Sequence, residues 1–345
     1  MASSPSWKPF PTTPPRNAPA RGGSGSAPSR SCVPSCWVAV LAQSKLQDLF
    51  DVPALRTGST VFVAVCVQAL PFLVLGVLIS GAIAAFVPAR ALERVLPKKA
   101  SAAVGVAGLA GVALPGCECA SVPVARRLIG QGVAPAAALT FLLAAPAVNP
   151  VVLVATAVAF PGRPEMVFAR FAGSLATAMA MGWIWARWGK LSWITERALR
   201  RLPDVQPGHR WRVFAETART DLVEAGGFLV LGALISASLN VLVPAKWFEV
   251  LSGQIIVGVV VMSVLAVVLA LCSEADAFVA ASLTAVPLLP KLVFLVVGPA
   301  VDVKLFALQT GTFGRSFAAR FAPVTFIVAI ACGTVAGVIF LGGVQ

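Results

Sequence analysis

Two short polar breaks in an otherwise apolar chain hold the residue types that can do chemistry. The first reads Pro115-Gly116-Cys117-Glu118-Cys119-Ala120-Ser121 and the second Cys272-Ser273-Glu274-Ala275-Asp276. Downstream of each lies a further polar point: Asn149 between Pro146 and Pro150, and Asp302 with Lys304 after Pro299. Thiolates select soft ions such as Cu(I), Zn(II) and trivalent arsenic-like centres. On a regular helix Cys117 and Cys119 would project about 200° apart and could not share one ion. On backbone unwound after Pro-Gly they can converge, with Cys272 as a third sulfur. Glu118, Glu274 and Asp276 are candidates to carry protons or to screen a cation, since intramembrane ionisable groups face a bundle interior or a water-filled cavity. The plainer alternatives are that the cysteines only pack, and that Lys304 neutralises Asp302 or another acid. Two residues apart, Asp302 and Lys304 face different sides of a helix, which favours a partner for each from elsewhere in the chain.

The elements that position these groups belong in a membrane. Of 345 residues, 58% are hydrophobic and 12% charged, against about 25% charged in soluble domains. The stretches 57–89, 128–162, 225–245, 250–273 and 321–345 contain no Asp, Glu, Lys or Arg, and about 20 apolar residues suffice to span a bilayer as a helix. A sixth span, near Met166 to Ala186, is expected with Arg170 snorkelling from its flank. The net charge of +13 resides in the loops, where it marks topology and not a nucleic-acid partner. The densest basic cluster, Arg187 to Arg212, is expected to be cytoplasmic, with His209 a solvated loop residue. Seven irregularly spaced cysteines make no disulfide framework. Cys66 and Cys332 fall within spans as small apolar side chains, and Cys32 and Cys36 lie in the N-terminal tail.

The chain repeats itself. Gln68 to Leu96 and Glu224 to Ser252 agree at thirteen of 29 aligned positions, Phe72 to Gly76 matching Phe228 to Gly232. Pro146 to Asn149 answers Pro299 to Asp302, and Arg170-Phe171-Ala172 answers Arg320-Phe321-Ala322. Aligning Cys117 with Cys272 sets Cys119 opposite Glu274 and Ser121 opposite Asp276. Duplication in an apolar chain places a transport site at the interface between the copies.

The expected fold is therefore all-α and polytopic, with two homologous repeats. Residues 1–50 form a Pro/Ser/Arg-rich tail, disordered to about residue 31, and a short interfacial segment; they are not a signal peptide. The first repeat covers 57–186, a basic linker 187–215, and the second repeat 216–345. Each repeat is expected to supply three full spans plus a broken or re-entrant helix pair: 57–86, 135–160 and 166–186 flank the first break, and 222–243, 293–310 and 321–341 the second. Unequal basic content of equivalent loops favours inverted repeats; eight full crossings in parallel repeats are the alternative.

Pro115 to Pro150, Cys272 to Leu283 and Gly298 to Leu308 resemble the predicted permease family that contains the trivalent organoarsenical efflux permeases. The likeness runs from about Thr57 to Leu341. It implies a multi-pass cell-membrane permease, with members linked to efflux of methylated arsenite or of copper and zinc. The family's first motif commonly reads Cys-Ser-Cys-Gly, where this chain has Cys117-Glu118-Cys119-Ala120; the added carboxylate favours a divalent cation over a neutral organoarsenical. The expected substrate-binding set is Cys117, Glu118, Cys119, Asn149, Cys272, Glu274, Asp276, Asp302 and Lys304, with Cys117, Cys119 and Cys272 as metal ligands. The partners are then the lipid bilayer, a small inorganic or organometalloid substrate and protons as coupling ion. No cofactor is expected. No HExxH, GxSxG or Walker motif is present, so an enzyme or an ATP-driven pump is not indicated. A permease for another small solute and a non-transporting assembly or sensory partner are the competing readings.

Overall fold

Apolar runs interrupted by proline, glycine and Asx residues dictate a bundle of long and broken helices. The computed structural model describes residues 53–86, 100–113, 118–195, 210–242, 255–283 and 286–342, all within one unit, Val52–Gln345. The readings made for the N-terminal tail, Cys117 and His209 lie outside the described residues. In the first half, α1 (Pro53–Phe86), α2 (Ala100–Ala110), α3 (Glu118–Gly130), α4 (Pro135–Val148), α5 (Pro150–Ala159) and α6 (Pro164–Trp188) follow in order. The second half contains α7 (Arg210–Leu242), α8 (Ile255–Leu269), α9 (Asp276–Ser282), α10 (Leu288–Ala300), α11 (Val303–Phe313) and α12 (Arg315–Phe340). Among the described residues there is no strand.

Among the described residues five stretches are long and apolar enough to cross a membrane: Gly58–Phe86, Pro135–Ala159, Pro164–Trp188, Leu288–Phe313 and Arg315–Phe340. Their outer faces carry exposed apolar side chains such as Val67, Val154, Phe168, Ile327 and Ile339. Such a surface suits hydrocarbon, where only helices with internally satisfied backbone can lie against lipid. Pro71 sits inside α1 without ending it. By contrast α2 and α8 have 11 and 15 residues, about 16 and 22 Å at 1.5 Å per residue, short of the roughly 30 Å of a hydrocarbon core.

Two stretches expected as continuous spans, 135–160 and 293–310, are each broken in the middle. Pro150 has no N–H to give and forces its predecessor out of helical geometry; Asn149 accordingly adopts φ −72°, ψ 155° and caps α5 by accepting from the Val152 N–H at 3.0 Å. No proline follows Asp302. Its carboxylate instead accepts the Leu305 N–H as the cap of α11, with Val301 and Asp302 both extended. Asn149 and Asp302 thus do the same local work at equivalent sequence positions.

Packing centres on these broken elements. α7 runs along α1, α4 packs on α6 and α10 on α12, while α2 lies on α4 and α8 on α10. α3 reaches α11 of the other half, and α9 reaches α5. Gly76 and Gly232, equivalent in the duplicated run, set the closest approaches. A Cβ on Gly76 would meet Ala120 Cα, and one on Gly232 would lie 2.8 Å from Lys304 Cα. Glycine is required at both points for α1 to reach α3 and α7 to reach α11. α7 begins at Arg210, inside the stretch read as linker. The linker's first residues dock on the bundle: the Thr195 N–H donates to Phe313 O at 2.9 Å, and Ile194 is buried.

Candidate functional site

The N-terminus of α3 brings Glu118 against α11 of the other half. Lys304 Nζ donates to Glu118 Oε1 at 2.8 Å and lies 3.6 Å from Asp302 Oδ2. All three residues are at most 1% exposed. Cys272 Sγ, just before α9, lies 3.9 Å from the same ammonium and completes its surroundings. The nearest acid to Lys304 therefore comes from the first half, and Asp302, extended ahead of α11, is the more distant second partner. One ammonium serves two carboxylates here, and Glu118 Oε2 has no hydrogen-bond partner.

A second buried pair joins the halves in the opposite sense. Asp276, at the start of α9, receives Arg170 of α6: Arg170 Nη2 lies 2.9 Å from both carboxylate oxygens and also donates to Ser273 O at 2.9 Å. Nη1 donates to Thr156 Oγ1 of α5 at 2.7 Å. The sequence reading of Arg170 as a snorkelling flank is corrected: the side chain is 0% exposed. A guanidinium in a bundle interior must be paired, and here one nitrogen, Nη2, reaches both carboxylate oxygens. The signal available was charge balance. The second break contributes two acids, Glu274 and Asp276, and Lys304 alone cannot compensate both and Glu118 as well.

Of the expected site residues, the structure gathers Glu118, Cys272, Asp302 and Lys304 around one ammonium and Asp276 around Arg170. Glu274, between the two pairs in sequence, keeps both carboxylate oxygens buried without a hydrogen-bond partner. Cys119 and Cys272 are buried, and neither is in a disulfide. Asn149 serves as the cap of α5, its Nδ2 donating to Ala145 O at 3.0 Å. Among the described residues no group of three His, Cys, Asp or Glu side chains is arranged to hold a metal ion.

A third set of charges escaped the sequence reading. At the far end of α3, Arg127 forms two hydrogen bonds with Asp221 of α7, at 2.7 and 3.1 Å, and Ser80 of α1 donates to the same carboxylate at 2.6 Å. Arg126 Nη1 lies 3.0 Å from Glu224 Oε2. The Arg126-Arg127 pair lies near the C-terminal end of α3 and clamps that helix to α7. Acids at i and i+3 on α7, Asp221 and Glu224, were the available clue, since such residues share one helix face.

Comparison with known proteins identifies the family. The profile of the ArsP_1 family, described as a predicted permease, matches residues 55–338. UPF0718 protein YcgR of Bacillus subtilis is 34% identical over 283 residues, covering 79% of this chain and 93% of that protein. A Streptococcus mutans protein named "Putative two-component membrane permease complex subunit" is 29% identical over 290 residues, 81% of this chain and 94% of its own. No solved structure matches the chain significantly. A multi-pass membrane protein with a buried charged centre, matched from end to end of its helical region, belongs to the ArsP_1 predicted permease family.

Proposed function

We propose that this permease exports a soft metal or metalloid species, an organoarsenical or a thiophilic cation, by a secondary, alternating-access mechanism, through the site between its two halves. The observation that carries the proposal is the buried meeting of Glu118, Asp302 and Lys304 beside the Cys272 thiol. Two carboxylates sharing one ammonium leave negative charge unspent whenever Lys304 withdraws, and a cation or protons restore the balance. Thiols at the same place favour a thiophilic ion over a hard one. Cys117, Cys119 and Cys272 are the ligands in this reading. Glu118, Glu274 and Asp276 carry coupling protons or hold the cation's charge, and Asn149 and Asp302 shape the site by ending the helices there.

The two halves act as inverted repeats, with α2–α3 and α8–α9 as re-entrant pairs. The recurrence of α4 on α6 in α10 on α12, and of α3 on α11 in α9 on α5, supports this arrangement. The basic segment 187–215 lies in the cytoplasm of a cell-membrane protein. The test is uptake of Zn(II), Cu(I) and trivalent organoarsenicals into everted vesicles under an imposed proton gradient, comparing wild type with Cys117→Ser/Cys119→Ser and Cys272→Ser. Uptake of one thiophilic species that all cysteine variants lose supports the reading; uptake unchanged in them sinks it.

A second reading has its own support. Among the described residues no three-donor cluster exists, which favours a different small solute with cysteines that only pack. The Streptococcus relative is named as a complex subunit, so a second protein chain is a further candidate partner, which co-purification from native membranes tests.

A further inference from the structure

Away from the charged centre, the ends of several spans surround a cavity of about 820 Å³. Its wall includes Phe160, Arg163 and Glu165 from the α5–α6 junction, Leu288 and Lys291 from α10, and Leu341 at the end of α12. The candidate spans Pro135–Ala159 and Arg315–Phe340 end here, while Pro164–Trp188 and Leu288–Phe313 begin. Four span ends at one level mark the boundary between hydrocarbon and water, where lipid phosphates lie.

Lys291 is the anomaly of this cavity. It is 6% exposed, yet among the described residues no carboxylate or carbonyl accepts from its ammonium. Its aliphatic stem is buried while the ammonium opens into the cavity, where an anion can reach it. Its charged neighbour on the wall is Arg163, a second cation. Glu165 forms no ion pair with either, so the lining carries two positive charges against one negative. The N-terminus of α10, at Leu288 with no side-chain cap, adds free backbone N–H groups and the positive end of a helix dipole.

We propose that Lys291 and Arg163 form an oxyanion site that takes a phosphate group, with the apolar part of the wall receiving what the phosphate is attached to. The ammonium and guanidinium supply charge-assisted hydrogen bonds to phosphate oxygens. Phe160, Leu288 and Leu341 are suited to the glycerol and upper acyl carbons of a phospholipid. Free inorganic phosphate satisfies the same cations but leaves that apolar wall unused.

The test is thermal unfolding of the purified full chain in a neutral detergent, titrated separately with inorganic phosphate against ionic-strength-matched chloride, and with short-chain phosphatidylglycerol against a neutral glycolipid of the same chain length. Wild type, Lys291→Met and Arg163→Gln are compared. Stabilisation by phosphatidylglycerol, with apparent affinity at least about tenfold weaker in each variant, establishes the site and its lipid occupant; tenfold is the loss expected from one charge-assisted hydrogen bond. Stabilisation by phosphate with the same loss establishes the site with a soluble oxyanion as occupant. Lys291→Met keeps an apolar side chain of similar length and loses only a charge that faces the cavity, so it should melt close to wild type and misfolding does not obscure the result. No stabilisation by either ligand, or equal stabilisation in wild type and both variants, overturns the proposal.

Discussion

At the scale of single residues the decisive contact is Lys304 with Glu118, because both are almost fully buried and each is the other's nearest opposite charge. Removing one member of such a pair leaves the other uncompensated, at a cost of about 3–5 kcal/mol, while removing both charges is often near neutral. Lys304→Met should therefore lower the melting temperature of the detergent-purified protein and abolish transport. Lys304→Met/Glu118→Gln should recover most of the stability and none of the transport. If the double variant is as unstable as the single one, the pair is not the source of the effect. If it transports normally, the ammonium and carboxylate have no part in the cycle.

At the scale of elements, helices meet where residues without side chains let them. Gly76 brings the α1 backbone onto Ala120 of α3, and Gly232 brings α7 onto the Lys304 backbone. Gly76→Val and Gly232→Val should each reduce the yield of folded, monodisperse protein sharply, since the obstacle in both cases is backbone and not a movable side-chain tip. Gly227→Val on α7 meets nothing within 4 Å and should express like wild type, with helix propensity slightly improved, by less than about 1 kcal/mol. Equal yields for all three would mean that α1 and α7 do not make these approaches. The run Phe72 to Gly76 and its copy Phe228 to Gly232 were legible in the sequence as repetition, but what the repeated glycine does became visible only when α3 and α11 were placed beside it. The break expected from the clustered polar residues Cys272 to Asp276 corresponds to the non-helical stretch 270–275, while 114–117, after which Glu118 opens α3, lies outside the described residues. The breaks at Asn149 and Asp302 were not expected, because apolar length alone resembles one unbroken span and an Asx cap needs no proline after it. Arg170 escaped for a related reason: hydropathy places an arginine at the nearest water, while the structure finds it a carboxylate from a segment 106 residues away.

For the whole molecule the arrangement of charges is asymmetric, and that asymmetry makes the alternating-access reading testable. α3 is tied to the second half at both ends, to Lys304 at its start and to Asp221 and Glu224 at its close, about 13 Å apart along the helix. In the duplicated alignment Arg126 and Arg127 correspond to Ala281 and Ser282, and Asp221 and Glu224 to Val65 and Gln68, so the other half has no such clamp. Ala281 lines the 820 Å³ cavity instead. One end of the molecule is thus cross-tied by charge and the corresponding end is hollow. On the proposed alternating-access reading, passage through the centre would require the clamp between α3 and α7 to part once per cycle. Arg126 and Glu224 retain 15% and 16% side-chain exposure, enough for a small reagent to reach them. The Arg126→Cys/Glu224→Cys variant, treated with a short bis-methanethiosulfonate, should lose transport in vesicles and regain it on reduction, while either single cysteine variant treated alike should be unaffected. If the cross-linked protein transports at the uncross-linked rate, α3 and α7 move as one body and the gate lies elsewhere. Replacing Asp221 with Asn should have the opposite consequence, loosening the clamp without locking it. That end of the centre should then become more open to water, read as faster labelling of Cys119 by a membrane-impermeant maleimide than in wild type.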